Sequence, residues 1–143
     1  MTLHVFQLHD VATTSEVDVR RLVAQALDSA SSFRGSHRLR AVCANLDLSS
    51  PSGAIGSYEG ETVGIVLWTV ADRELTIEVL YVAPAARGLG LGESLVLRAI
   101  ETARARGCRS ISGRALPGDR ETKNVYERTG LVSQVITVGK DLA

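Results

Sequence analysis

VLYVAPAARGLGLGESL, residues 79–95, combines the end of a strand, a glycine-rich turn and the start of a helix. The β-branched and aromatic residues at 75–82 predict the strand. Pro84 has no backbone N–H to donate to a ladder, so strand pairing should end near it. From Leu91 the apolar residues repeat at the helical period, which predicts a helix over residues 92–106.

The turn itself has the composition of an anion site. Gly88, Gly90 and Gly92 stand at alternate positions directly after Arg87. Glycine permits positive φ angles and a close approach of ligand to backbone that a Cβ would prevent. Such a turn directs several N–H groups and the positive end of a helix to one point. Arg87 adds a side chain suited to phosphate.

Three phosphate-binding patterns compete for this turn. The phosphate-loop pattern G-x-x-x-x-G-K-[ST] fails because no lysine follows the glycines. The dinucleotide pattern G-x-G-x-x-G fails because the third glycine comes one position early, and the later acidic residue at a strand end is missing. The pattern R-x-x-G-x-G is met by Arg87, Gly90 and Gly92. An ordinary strand-to-helix turn, with glycines for close packing, is the alternative without a ligand.

A second motif lies near the C-terminus, LPGDRETKNVYERTGL at residues 116–131. Asp119 after a Pro-Gly turn is suited to begin a helix, and Gly130 is suited to end it. Together the two motifs resemble the GNAT N-acetyltransferase superfamily, whose patterns read R-x-x-G-x-G and N-x-x-A-x-x-x-Y-E-x-x-G-F. In this resemblance, which is firm over residues 58–138, Asp119 stands at the asparagine position and Tyr126 at the tyrosine position.

The resemblance implies that acetyl-CoA is the cofactor, with its pyrophosphate in the glycine-rich turn. It also implies that the strand before the turn splays from the next parallel strand, so that exposed strand backbone pairs with the pantetheine amides. A strand N–H, that of Val82, would face the oxyanion. Asp119 either contacts the cofactor or only caps its helix. The residues expected at the cofactor are Leu80, Tyr81, Val82, Arg87, Gly88, Leu89, Gly90, Leu91, Gly92, Glu93, Asp119 and Tyr126.

The implied reaction transfers an acetyl group to a primary amine by direct attack in a ternary complex. Tyr126 is the candidate acid, because a phenol of pKa about 10 can protonate a leaving thiolate. Glu78 is the candidate base, and strand alternation puts it on the same face as Leu80 and Val82. Each residue also has an interpretation without catalysis. Tyr126 would then be an aromatic residue of the core, and Glu78 a carboxylate at the sheet edge. Two histidines are further base candidates without positional support, His9 and His37.

The sequence leaves the acceptor amine open, whether small molecule or peptide. The resemblance implies that its pocket is built from residues 29–53. Arg34, Arg38 and Arg40 lie there and could receive a carboxylate, or form a solvated helix face. The first 86 residues carry 6 Lys/Arg against 10 Asp/Glu, which would suit a cationic acceptor instead. A non-catalytic acyl-CoA sensor or regulatory module is the alternative function.

Composition limits the remaining classes. With 143 residues, 45% of them hydrophobic, residues 1–143 are expected to form a single domain. Zero net charge and 4% aromatic residues, without a long basic run, argue against a nucleic-acid partner. No apolar run reaches about 18 residues and the N-terminus lacks a signal-peptide pattern, so no membrane association is expected. Two distant cysteines, Cys43 and Cys108, are expected to be free thiols in the cytoplasm.

Two further expectations concern metals and self-association. Three histidines without paired spacing give no basis for a metal site. Related folds often dimerise, so a homodimer is an open expectation, although no exposed apolar stripe in the sequence demands one.

The order of elements predicts the fold class. Strands are expected at residues 3–8, 54–58, 62–70, 75–82, 110–115 and 132–138, and helices after Ser15, at 36–47, at 92–106 and after Asp119. This order predicts an α+β, mixed α/β sandwich, with a mostly antiparallel central sheet and helices on both faces. The 92–106 helix is a crossover, so the strands on either side of it should be parallel. By resemblance this is the GNAT acyl-CoA N-acyltransferase fold.

Overall fold

The computed structural model describes residues 6–142 of the chain. They form five strands, β1 (Gln7–Asp10), β2 (Gly53–Tyr58), β3 (Glu61–Ala71), β4 (Glu74–Val82) and β5 (Ser110–Gly113). The four helices are α1 (Glu16–Ala30), α2 (Ser36–Asn45), α3 (Leu91–Ala105) and α4 (Arg120–Arg128). The predicted α+β class is confirmed.

One sheet contains the strands in their chain order, β1-β2-β3-β4-β5. Neighbours from β1 to β4 are antiparallel, whereas β4 and β5 are parallel. The parallel ladder runs from the pair of Glu74 and Ser110 to the pair of Ile77 and Gly113. Because α3 makes the crossover between these strands, the predicted parallel pair is confirmed.

Helices cover both faces of the sheet. On the α1 face, helices α1 and α2 pack over a core that includes Val19, Leu22, Cys43, Ile55, Ile65, Leu67 and Val79. On the α3 face, helices α3 and α4 pack over a core that includes Val66, Trp68, Leu75, Ile77, Leu91, Leu95, Val96 and Tyr126. Alternating side chains of the central strands therefore fill two cores, one on each side.

Two glycines let the start of α3 lie close to the sheet. Gly56 of β2 is paired with Gly64 of β3. A Cβ on Gly56 would lie 2.6 Å from a methyl carbon of Leu91, and a Cβ on Gly64 would lie 2.9 Å from one. Larger residues at these positions would have to displace the buried Leu91 side chain. The two glycines therefore make room for the first residue of α3.

The predicted strand at residues 132–138 is wrong. The chain from Leu131 to Leu142 contains neither strand nor helix. Val132, Val135, Ile136 and Val138 are 68–88% exposed. A β-branched pattern expresses a local preference, but a strand also needs a partner edge, and this segment pairs with none within residues 6–142. The homodimer stays a prediction.

Smaller boundary differences have local causes. Residues 3–5 of the predicted first strand lie outside the described residues. Among the described ones, β1 begins at Gln7 and ends where the Asp10 side chain accepts from the N–H of Ala12. β5 ends at Gly113 instead of Ala115, because the carbonyl of Arg114 accepts a side-chain hydrogen bond instead of joining a ladder. Helix α2 ends two residues early, at Asn45.

Candidate active site

The glycine-rich turn has the backbone geometry that requires glycine. Gly88 and Gly90 have φ values of 77° and 90°, and Gly90 is the N-cap of α3. An added Cβ at either position would meet nothing within 4 Å. The glycines are therefore needed for their positive φ, and the space above them is open to a ligand. Gly92 lies inside the helix, where its missing side chain makes room for Val125 of α4.

The start of α3 offers unpaired hydrogen-bond donors. Gly90 provides no capping side chain. Within residues 6–142, no protein group accepts from the backbone N–H groups of Leu91, Gly92 and Glu93. These donors add to the positive end of the helix dipole, so the site favours an anion such as a phosphate.

The Arg87 side chain contacts β4 and α4 beside the glycine-rich turn. Its Nε donates to the carbonyl of Val82 at 3.0 Å and lies 3.0 Å from a carboxylate oxygen of Glu121. The guanidinium also lies 6.0 Å from the ring centre of Tyr81. Arg87 thus joins the end of β4 to α4, and its contact with phosphate stays a prediction.

The sheet opens between β4 and β5 beside this turn. The ladder ends at Ile77 and Gly113, yet β4 continues to Val82. We call this opening the strand gap. The N–H of Ala83 donates to β3, so alternation turns the backbone of Leu80 and Val82 toward the gap. This edge has the geometry to pair with an extended amide-containing ligand.

Tyr126 closes the inner end of the gap. A Cβ on Gly113 would lie 2.6 Å from the Tyr126 ring, so any larger residue there would displace the ring. The hydroxyl donates to the carbonyl of Arg114 at 3.2 Å, and the residue is 7% exposed. Burial, opposed in part by that hydrogen bond, raises the pKa of Tyr126 well above its usual value. The phenol therefore keeps its proton at neutral pH.

Glu78 lies on a β-bulge, which strand alternation did not predict. Leu67 of β3 is paired with Val79 and the next residue, Trp68, with Ile77, so Glu78 is the extra residue on β4. Beyond the bulge, Leu80 and Val82 pack on the α3 face, whereas Val79 packs on the α1 face. The bulge therefore changes the phase of the alternation.

The side chain of Glu78 points to the α1 face. The pKa of the buried Cys43 thiol in α2 is raised, chiefly by burial and then by the negative charge of Glu78. The expectation that Glu78 shares a face with Leu80 and Val82 is therefore wrong. The sheet itself separates the candidate base from the side chains of those two residues.

Both carboxylate oxygens of Glu78 have partners. Oε1 accepts from the Thr69 hydroxyl at 3.0 Å, and Oε2 is 2.5 Å from Nη1 of Arg114. The Glu78 side chain is 11% exposed. Arg114 also contacts Tyr126 through its carbonyl, so this one residue connects the candidate base with the candidate acid.

Asp119 is occupied as a helix cap. Its two carboxylate oxygens accept from the N–H and the hydroxyl of Thr122, at 3.2 and 2.7 Å. A cap of this kind explains why α4 begins at Arg120. Glu93, at the start of α3, pairs with Arg128 of α4 at 2.7 Å. The structure therefore connects Asp119 and the Glu93 side chain to α4, while their contact with a cofactor stays a prediction.

Sequence patterns missed Thr69, Gly113 and Arg114. Arg114 follows β5 directly, and Glu78 on the neighbouring strand has the opposite charge, which was the available signal.

The candidate base His9 lies on β1, at the opposite edge of the sheet from β5. Cys43 and Cys108 are free thiols, as predicted.

None of the helices within residues 6–142 is both long and apolar enough to span a bilayer. In the same part of the chain, His, Cys, Asp and Glu side chains do not gather in groups of three that could hold a metal ion.

Solved structures share this fold. The aminoglycoside N-acetyltransferase AAC(6')-Iy, solved in complex with CoA, is 14% identical, with 99% of this chain and 98% of that chain covered and a TM-score of 0.69. Glucosamine-6-phosphate N-acetyltransferase from Arabidopsis thaliana is 17% identical, with 97% and 99% covered and a TM-score of 0.63. A transcriptional regulator from Bacillus halodurans C-125 is 22% identical, with 96% and 100% covered and a TM-score of 0.67. At such identities the likeness is one of fold.

Sequence comparison identifies the family. No curated protein sequence matches the chain. The sequence model of the acetyltransferase (GNAT) family matches residues 22–131, a span that includes the glycine-rich turn, the strand gap, Glu78 and Tyr126. Because this match covers well over half of the 143 residues, the chain belongs to the acetyltransferase (GNAT) family.

Proposed function

We propose that this protein is an N-acetyltransferase that moves an acetyl group from acetyl-CoA to a primary amine by direct attack in a ternary complex. One observation carries the proposal. The uncapped N-terminus of α3 opens beside the stretch of β4 that has left the β5 ladder, and this stretch runs from Glu78 on one face of the sheet past Tyr126 on the other. An anion site, an amide-pairing edge and two candidate proton-transfer groups therefore lie together around the strand gap.

These residues fit acetyl-CoA. The pyrophosphate would be held by the N–H groups of the turn, from Gly88 to Glu93, where positive φ and open space favour a close approach. The pantetheine amides would pair with the backbone of Leu80 and with the carbonyl of Val82, which also accepts from Nε of Arg87. Tyr81 supports the edge, because its ring lies against Arg87. The solved complex of AAC(6')-Iy with CoA supports this choice of cofactor.

When bound, acetyl-CoA supplies the acetyl thioester. The N–H of Val82 would polarise the carbonyl, since preorganised donors are strongest where charge develops. Glu78 would accept the proton that the amine loses, either directly or through a water. Tyr126 would give its proton to the departing sulfur. Its raised pKa keeps this proton in place, but makes the phenol a weaker acid than free tyrosine.

The first experiment is a calorimetric titration with acetyl-CoA, free coenzyme A and desulfo-coenzyme A, alongside a thiol-release assay over a panel of amines. We expect micromolar binding of acetyl-CoA and amine-dependent thiol release. A protein that binds ATP or NAD but no coenzyme A would contradict both the cofactor and the activity.

The occupied polar groups favour one alternative, a non-catalytic acyl-CoA sensor. The Glu78 carboxylate is paired with Arg114, and the Tyr126 hydroxyl is bonded to the Arg114 carbonyl. The similar fold of a transcriptional regulator from Bacillus halodurans C-125 is compatible with this function. In the same experiment, binding of acetyl-CoA without thiol release on any amine would favour the sensor.

We expect Tyr126→Phe to lower turnover while acetyl-CoA affinity stays nearly unchanged. The phenol has no role in binding phosphate, and a general acid typically contributes ~10²–10⁴-fold. The lost hydrogen bond to Arg114 should cost only about 1 kcal/mol of stability. Steady-state kinetics and calorimetry measure the two effects. Because the raised pKa keeps Tyr126 protonated, its titration should add no alkaline limb to the wild-type rate profile below pH ~10.

Tyr58→Phe is the control, because Tyr58 lies on β2, away from the strand gap. Equal turnover in the two variants would remove Tyr126 from the mechanism.

A further inference from the structure

The ion pair between Arg114 and Glu78 lies where the two strands begin to separate. Its partners differ in depth, because the Glu78 side chain is 11% exposed and that of Arg114 is 61% exposed. The Glu78 carboxylate is therefore inside the strand gap, and the Arg114 guanidinium lies between this carboxylate and solvent. Anything that approaches Glu78 from this side meets Arg114 first.

Most of the polar groups that hydrogen-bond around the pair are neutral hydroxyls. Thr69 donates to Glu78, and the Ser112 hydroxyl lies 3.5 Å from that of Thr76. Glu74, at the other end of the parallel ladder, accepts from Ser110. Among residues 6–142, Arg114 is the cation within salt-bridge distance of Glu78. An acceptor that reaches the carboxylate from the solvent side therefore meets this guanidinium beside it.

An amine reaches the protein mainly as an ammonium ion. A simple alkylammonium would have to displace a guanidinium from Glu78, which exchanges one cation for another with no gain in charge pairing. An amine that also carries a carboxylate can exchange both partners at once. Its ammonium would pair with Glu78. Its carboxylate would pair with Arg114, whose planar guanidinium can donate two parallel hydrogen bonds to a carboxylate.

We propose that Arg114 selects acceptors in which the reactive amine lies close to a carboxylate, as in free α-amino acids. Resting on the proposed acetyltransferase function, this inference names the acceptor class that the same site takes. Arg114 is then a specificity-determining residue that binds substrate, and the ion pair in the free protein holds Glu78 and Arg114 in position for the exchange.

The test uses matched acceptors, namely amino acids, their amides and their decarboxylated amines, such as leucine, leucinamide and 3-methylbutylamine. We expect wild-type kcat/KM to favour leucine, and Arg114→Gln to reduce the preference by ~10–100-fold, mostly through KM, because a charge-assisted hydrogen bond is lost. Comparing the two proteins on the same acceptors cancels the intrinsic reactivity of each amine. Arg114→Lys should restore part of the preference, since it keeps the charge but not the planar guanidinium.

Arg109→Gln is the matched control, because Arg109 is an exposed arginine just before β5, at the far end of the parallel ladder from Arg114. It should leave the preference unchanged. Equal wild-type activity on leucine and 3-methylbutylamine would overturn the inference. An equal loss on all acceptors in Arg114→Gln would do the same, because that pattern belongs to a purely structural ion pair.

Binding separates this inference from the proposed function. If no acceptor releases thiol, the proposed function fails. Leucine titrated into the protein saturated with coenzyme A then still decides the role of Arg114. We expect wild type to bind leucine and Arg114→Gln to bind it at least ~10-fold more weakly. Failure of wild type to bind leucine, or equal affinity in the two proteins, would overturn the inference by itself.

Discussion

Gly90→Asp is expected to weaken acetyl-CoA binding by about 100-fold, roughly 2.7 kcal/mol. Gly90 is the N-cap of α3, and an added side chain would stand in the open space where the phosphates are proposed to bind. A carboxylate at about 4 Å from a phosphate costs several kcal/mol at a protein surface by Coulomb repulsion. The measurement is calorimetry with acetyl-CoA at low ionic strength.

Gly90→Asn is the matched control. Asparagine and aspartate have almost the same shape, and both adopt a positive φ more readily than other side chains. Because a Cβ at Gly90 meets nothing within 4 Å, both variants should fold, with a similar small loss of stability. The difference in acetyl-CoA affinity between the two variants thus isolates the effect of the charge. This difference should shrink as salt is added. Equal affinities in the two variants would mean that no phosphate lies near Gly90.

Features with local causes could be predicted from the sequence. The glycine-rich turn and the Asp119 cap follow from residues that lie next to one another in the chain. The parallel direction of β4 and β5 follows from the crossover helix that the order of elements places between them. Gly90 has to adopt a positive φ before α3 can begin, whatever else the protein does. Local preferences of this kind do not depend on which distant segments pack together, which is why these elements match their predictions closely.

Features that depend on contact between distant segments could not be predicted. The face of Glu78 depends on a bulge, which arises from the register of β3 against β4. Its partner Arg114 is 36 residues away in sequence. The roles of Gly56 and Gly64 emerge only when Leu91 packs on them. The strand predicted at 132–138 is wrong for the same reason. Its sequence pattern favours a strand locally, but a strand also needs a partner edge elsewhere in the chain.

Glu78→Gln is expected to lower kcat by ~10²–10³-fold while acetyl-CoA affinity stays within about twofold of wild type, as for a lost general base. Glutamine keeps the shape of the side chain and can still accept from Thr69, but it cannot take a proton from the amine. Because the Arg114 side chain is 61% exposed, losing the ion pair should cost only about 1 kcal/mol of stability. Kinetics under saturating acetyl-CoA, with thermal unfolding alongside, separate these effects.

Glu74→Gln is the control that isolates position from charge. Glu74 lies on the same strand, where it accepts from Ser110 in the way that Glu78 accepts from Thr69. It is paired with the first residue of β5, at the far end of the parallel ladder from the strand gap, so its loss should leave kcat unchanged. If both variants retain wild-type turnover, Glu78 is not the base, and its pairing with Arg114 only holds β4 to the chain after β5. If only Glu78→Gln loses turnover, the bulge that turns Glu78 to the α1 face directs it to the acceptor amine.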